Sequence, residues 1–172
     1  MDYRHKKTLK LVQRHIPQLS KVLDLGDRSE LSEIMNDLGY RINHTTILGD
    51  LDYLTFGIQD STITHVTAFE VLEHLVNPFT ILYNFPRGTK LLATVPLRLW
   101  FMKPCWPKDK TKLPYNGHYH EFLEREFDFL LEKAGYRITY KEKWRGQERV
   151  TGIRPLLRLF YKRYYAVVAI KQ

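Results

Sequence analysis

Thr64-His-Val-Thr-Ala-Phe-Glu-Val-Leu-Glu-His-Leu-Val76 decides how this chain folds. The apolar run His65–Phe69 reads as a buried parallel strand. Glu70-Val-Leu-Glu-His74 behind it reads as the acidic start of a helix over Glu70–Asn84, bent or restarted at Pro78. In a doubly wound sheet, ligands sit beyond the carboxyl ends of the strands. Phe69 and Glu70 are therefore predicted to border a binding crevice.

The flanking segments extend this alternation. Lys6–Ile16 has Leu9, Val12 and Ile16 on one helical face, and Pro17 interrupts it. Lys21–Leu25 is a short strand closed by Gly26. Ser29 caps a helix carrying Leu31, Ile34, Met35 and Leu38 at helical spacing, and Gly39 stops it. Tyr40–Asp52 holds one or two short strands, Tyr40–Asn43 and Thr45–Leu48, with no helix between them, so the sheet is shortened after the second strand. Lys90–Val95 is an apolar strand stopped by Pro96. Glu121–Ala134 is a helix with Leu123, Phe127, Leu130, Leu131 and Ala134 on one face. Tyr136–Lys143 and Tyr164–Ile170 are strands, with a short basic helix over Arg154–Lys162 between them. The pattern predicts a single three-layer α/β domain over residues 1–172. Residues 97–117 form a long loop without periodicity, carrying Trp100, Phe101, Trp106 and Tyr115. Loops of that length in compact domains are usually functional or disordered, and the aromatics argue against disorder.

Composition narrows the class. With 172 residues, 44% hydrophobic and 27% charged, the chain suffices for one domain with a core. The lone Cys105 excludes an internal disulfide and fits a reducing compartment. The first residues carry no apolar run of a secretory signal, and no segment approaches the roughly 20 apolar residues of a membrane span. A cytoplasmic protein is expected. The net charge of +8 gathers toward both ends, including Arg4, Lys6, Lys7 and Lys10. It reads as a solubilising surface or as a patch for nucleic acid or anionic lipid. No zinc-ligand spacing or RNA-recognition aromatic motif supports the second reading.

The turn Asp24-Leu-Gly-Asp-Arg-Ser-Glu30 resembles the first motif of the S-adenosylmethionine-dependent methyltransferases with the Rossmann-like fold, an acidic residue followed by x-Gly-x-Gly-x-Gly. Asp24 and Gly26 match. Arg28 and Glu30 stand where the second and third glycines belong. Either Arg28 fills the space of the methionine part of the cofactor, or the loop detours and Arg28 or Ser29 binds the cofactor carboxylate. Thr67-Ala-Phe-Glu-Val-Leu-Glu-His-Leu75 resembles the fourth-strand signature of the type 11 and ubiquinone-methyltransferase-like branches. Asp50-Leu51 resembles the acidic–apolar pair that holds the adenine. Lys90–Pro96, His118-Tyr-His-Glu-Phe122 and Leu131–Tyr136 resemble the later strand and helix segments. The matches cover roughly residues 20–140 in order.

The resemblance implies a mostly parallel sheet with an antiparallel C-terminal strand, S-adenosylmethionine as cofactor, and a small-molecule acceptor. Asp24, Gly26, Arg28, Asp50, Leu51, Phe69 and Glu70 are the implied cofactor residues. The family's ribose-binding carboxylate after the second strand has no clear match, and Asp50 or Asp52 stands in for it. His118 and His120 are candidate general bases; the plainer reading is a helix cap or packing on Tyr119. Some relatives hold a divalent metal with a Glu-x-x-Glu-His set. Glu70, Glu73 and His74 offer those letters, but acidic residues also favour a helix N-terminus, and no metal is assigned. The aromatics of 97–119 form an acceptor wall, a lid on the sheet, or a homodimer contact. The rival to an enzyme is a catalytically inactive binding or assembly module on the same fold.

Overall fold

In the computed structural model, residues 3–45, 51–52, 62–99, 117–146 and 161–172 are described. Asp50, the strand proposed over Thr45–Leu48 beyond Thr45, the aromatics of the long loop, Cys105 and residues 154–160 of the basic helix lie outside them. So does most of the link after the second strand, where the shortened crossover is expected.

Among the described residues, six strands form one sheet in the order β2-β1-β3-β4-β6-β5. They are β1 (Lys21–Asp24), β2 (Arg41–His44), β3 (His65–Phe69), β4 (Lys90–Pro96), β5 (Tyr136–Trp144) and β6 (Tyr164–Lys171). The pairs β1–β2, β1–β3 and β3–β4 are parallel, and β6 is antiparallel to both β4 and β5. The mixed sheet with its antiparallel C-terminal strand is the architecture expected from the sequence.

Among the described residues, two helices cover each face. On one, α1 (Tyr3–His15) and α2 (Glu30–Asp37) bury Leu11, Val12, Ile16, Leu31 and Met35 against Val22, Leu92 and Val168. On the other, α3 (Pro78–Tyr83) and α4 (Glu124–Lys133) bury Ile81, Leu82, Phe127 and Leu131 against Val66, Leu91, Val95 and Tyr165. Alternate residues of β4 and β6 serve opposite faces, as the period of two requires.

Local chemistry places α2. Ser29 Oγ accepts from Ser32 N–H at 3.2 Å, Ser32 Oγ accepts from Ser29 N–H at 2.9 Å, and Gly39 leaves the helix at φ +92°. Three helix expectations are corrected. No helix begins at Glu70, whose φ of +58° is left-handed; a 3₁₀ turn spans Leu72–His74, and α3 starts only at Pro78, capped by Asn77. Helix α1 begins at Tyr3, a turn before Lys6, and Leu9 packs with Val12 and Ile16 against one cluster, as expected, joined by Thr8 and Leu11. Helix α4 starts at Glu124 because Phe122 is held in a bridge to Leu97, and Glu126 accepts from Leu123 N–H at 3.0 Å. Leu123, expected on the buried face, is exposed.

Candidate active site at the carboxyl edge of the sheet

Strands β1 and β2 end level at Asp24 and His44, and β3 runs two residues further, to Phe69, at the same edge. Asp24 is register-paired with His44 and with Thr67. Its Oδ1 accepts from Thr67 Oγ1 at 2.8 Å, and its Oδ2 faces His44 Nδ1 at 3.6 Å. Burial pushes the Asp24 carboxyl upward, opposed by the Thr67 hydrogen bond and by His44. Leu25 N–H donates to Thr67 O at 2.9 Å, which ties the following turn to β3. A Cβ on Gly26 would lie 3.4 Å from Val71 Cγ2, so the turn runs in contact with the segment that follows β3.

Arg28 and Glu30 do not turn into this edge. Arg28 Nε pairs with Glu33 Oε1 at 3.2 Å along α2, with the side chain 76% exposed. Glu30 Oε2 faces His5 Nδ1 at 3.4 Å. Leu51 is half-buried against the core under α3 and α4. Asp52 gives both carboxylate oxygens to the backbone, accepting from Val76 N–H at 2.9 Å and Asn77 N–H at 2.8 Å.

Beyond β3, Glu70 N–H donates to Thr94 O at 2.9 Å, which extends the β3–β4 ladder, and the left-handed φ of Glu70 then takes the chain out of both strand and α-helix geometry. Its carboxylate turns toward Arg4 Nη1 at 3.8 Å, and burial raises its pKa against the pull of Arg4. Glu73 is buried, and neither of its carboxylate oxygens has a hydrogen-bond partner. Burial, reinforced by Glu70, pushes its carboxyl up to about 9. The Glu73 backbone carbonyl accepts from both Tyr119 N–H at 2.8 Å and His120 N–H at 3.1 Å. These two bonds pin residues 117–122 over the 3₁₀ turn.

That pinning brings His118 beside His74, their rings edge to face at 4.8 Å. His74 Nδ1 lies 2.9 Å from the Gly117 carbonyl. A carbonyl only accepts, so this nitrogen carries the proton and Nε2 presents its lone pair. Ligand atoms of Glu73, His74 and His118 all lie within 4.8 Å of one another. Burial lowers the His118 pKa, with His74 and Arg163 adding to the effect. His120 is placed differently: Nε2 lies 3.2 Å from Val76 O, and the ring stacks on Phe122 at 5.4 Å. Nε2 of His120 is thus a donor, and the residue latches the segment down.

The structure brings together Asp24, His44 and Thr67, and separately Glu73, His74 and His118; Phe69 and Glu70 follow Thr67 by two and three residues, Phe69 packing toward α1 and α2 and Glu70 facing Arg4. Sequence reading missed His44, Thr67, Arg4 and Arg163. The equal lengths of β1 and β2 would have paired Asp24 with His44; nothing local marks the arginines.

No protein-family model matches the sequence, and no curated protein matches it. The fold does have solved counterparts. A 1,6-didemethyltoxoflavin-N1-methyltransferase of Burkholderia thailandensis, with bound 1,6-didemethyltoxoflavin and S-adenosylhomocysteine, aligns over 99% of this chain and 79% of its own, at 15% identity and a TM-score of 0.65. An S-adenosylmethionine-dependent methyltransferase of Mesorhizobium loti aligns over 94% and 96%, at 12% identity and 0.62. The [4+2]-cyclase SpnF aligns over 97% and 80%, at 14% identity and 0.59. The chain has the Rossmann-like fold of the S-adenosylmethionine-dependent methyltransferases. Among the described residues, no helix is long and apolar enough to cross a membrane.

Proposed function

We propose that this protein is an S-adenosylmethionine-dependent methyltransferase that modifies a small-molecule acceptor. The observation that carries the reading is the outward turn of Arg28 onto Glu33, which leaves the glycine turn unfilled by the side chain that replaced its second glycine. In this reading Asp24, Gly26, Phe69, Glu70 and Leu51 serve the cofactor, as does Asp50, which lies outside the described residues, while Arg28 is turned onto Glu33. The close-running Gly26 turn, an acid at the end of β1 and a half-buried Leu51 suit a nucleoside with a charged sulfonium. When bound, that cofactor supplies an electrophilic methyl group. The protein's work is alignment and exclusion of water. His118, held neutral beside His74, accepts the proton of a hydroxyl or amine acceptor. Fold alone does not fix the reaction, as the cyclase neighbour illustrates.

Calorimetric titration with S-adenosylhomocysteine tests this. Affinity on the order of micromolar is expected, lost in Asp50→Ala and weakened at least about tenfold in Gly26→Val, whose side chain meets Val71. No heat at millimolar ligand would leave the inactive module as the better reading.

A second reading is favoured by the convergence of Glu73, His74 and His118: these residues hold a divalent cation that orients acceptor oxygens. The cluster differs from the one legible in sequence, because Glu70 is drawn to Arg4 and His118 takes its place. One carboxylate and two imidazoles suit zinc, manganese or iron better than calcium. Manganese binding followed by electron paramagnetic resonance should show a site in the wild type that weakens at least about tenfold in His118→Ala. A spectrum of free manganese for the wild type would leave His118 as an acid–base group only.

A further inference from the structure

We infer that the methyl acceptor carries an oxyanion, a carboxylate or a phosphate, and that Arg4 and Arg163 bind it beside Tyr164; this inference rests on the methyltransferase reading above. The basic excess at the two ends of the sequence meets here. Arg4 lies in the first turn of α1, and Arg163 directly precedes β6, which runs antiparallel to β4. β6 therefore begins where β4 ends, and Tyr164 is register-paired with Pro96 on one side and Trp144 on the other. This is again the carboxyl edge of the parallel strands, but on the side of β4 away from the glycine turn. The guanidinium carbons of Arg4 and Arg163 stand 5.9 and 5.8 Å from the centre of the Tyr164 ring. Both cations act on Glu70 and Glu73, and Arg163 acts on His118 as well. Two arginines from opposite ends of the chain thus stand beside the histidine read above as the proton acceptor.

Their chemistry suits an anion. Arg4 Nη1 lies 3.8 Å from Glu70 Oε2, an ion pair too long to be a hydrogen bond. Glu70 Oε1 and both oxygens of Glu73 accept no hydrogen bond. The acids therefore draw the guanidiniums in by charge without consuming N–H donors at those oxygens. A guanidinium presents its donors as a rigid fork that matches the oxygens of a carboxylate or phosphate. The first turn of α1 holds no acidic residue, so the helix dipole adds to the attraction. Opposite Tyr164, the buried Trp144 has an Nε1–H with no hydrogen-bond partner among the described residues. An oxyanion paired with two cations is a poor nucleophile, so it serves as a handle. Another group on the same molecule takes the methyl, aligned because the handle is fixed.

The test follows the arginine side-chain Nε–Hε resonances of the full chain, saturated with S-adenosylhomocysteine, by nuclear magnetic resonance. Acetate, inorganic phosphate and the uncharged acetamide are titrated in turn. Acetate or phosphate should shift the Arg4 and Arg163 signals together, saturating at about millimolar concentration, and acetamide should not. Whichever anion binds tighter names the handle. Arg4→Gln should weaken the response at Arg163 at least about fivefold, and Arg163→Gln, watched at Arg4, gives the same reading if the first variant melts early. Lys6→Gln, an exposed cation on the same helix, should leave the affinity unchanged. An equal loss in Lys6→Gln, a shift at one arginine alone, or a response no stronger than that to acetamide would overturn the proposal. Such a failure with S-adenosylhomocysteine still bound leaves the methyltransferase reading standing. Failure of the wild type to bind S-adenosylhomocysteine removes both.

Discussion

Lys171→Ala is expected to lower the thermal midpoint by about 10 °C, the stability loss being about 3 kcal/mol. Lys171 is buried at the end of β6, and its ammonium is the meeting point of two helices. Nζ donates to Tyr83 O at 2.9 Å and Leu82 O at 3.5 Å at the end of α3, and also to Ala134 O at the end of α4. The rings of Tyr83 and Tyr136 lie 5.0 and 5.2 Å from the same nitrogen. A cation at two helix C-termini satisfies carbonyls that the helices leave without partners. Gly135, at φ +86°, is part of the device, because a Cβ there would stand 3.3 Å from Nζ. Removing the side chain opens a cavity and strands the carbonyls together. Lys171→Met keeps the stem and should recover part of the loss. Denaturant unfolding of the three proteins checks this, and an alanine variant within about 1 kcal/mol of wild type would refute it.

Glu73→Met should be more stable than wild type, by about 1–3 kcal/mol, while losing cation binding and methyl transfer. The wild-type carboxyl is buried with both oxygens unpartnered, an arrangement that disfavours the native state and that no structural role explains. Its folded pKa of about 9 lies above the unfolded value of 4.5. The folded state therefore holds a proton that the unfolded chain sheds. The stabilisation from that proton is complete below about pH 4.5 and is lost as pH rises toward 9. Burial shifts Asp24 and Glu70 in the same direction. The methionine variant should flatten the part of the slope that Glu73 contributes as pH rises toward about 9. Melting curves from pH 5 to 9 give the answer. A methionine variant less stable at every pH would make Glu73 a structural group and weaken the cation reading.

The elements most legible in sequence were those whose ends are set by neighbours along the chain. Helix α2 was readable from Ser29 to Gly39 because its cap and stop act within four residues. β3, β4 and β6 were readable because strands buried on both faces are continuous apolar runs. The misread helix at Glu70 shows where this ends. Its acidic letters suit a helix start, but Glu70 takes a left-handed φ at the end of the β3–β4 ladder, and only a 3₁₀ turn follows before Pro78.

The candidate site divides in the same way. Asp24 and Gly26 were found from spacing because they sit on one strand–turn unit. The pairing of Asp24 with His44 depends on strand register, and the meeting of His118 with His74 depends on two backbone bonds to the Glu73 carbonyl. So the order of strands and helices, and the edge at which chemistry gathers, were determined by the chain's own periodicity and local caps. Which side chains share that edge was decided only in three dimensions, because pairing across strands is a contact between residues that exert no force on one another until the sheet has closed.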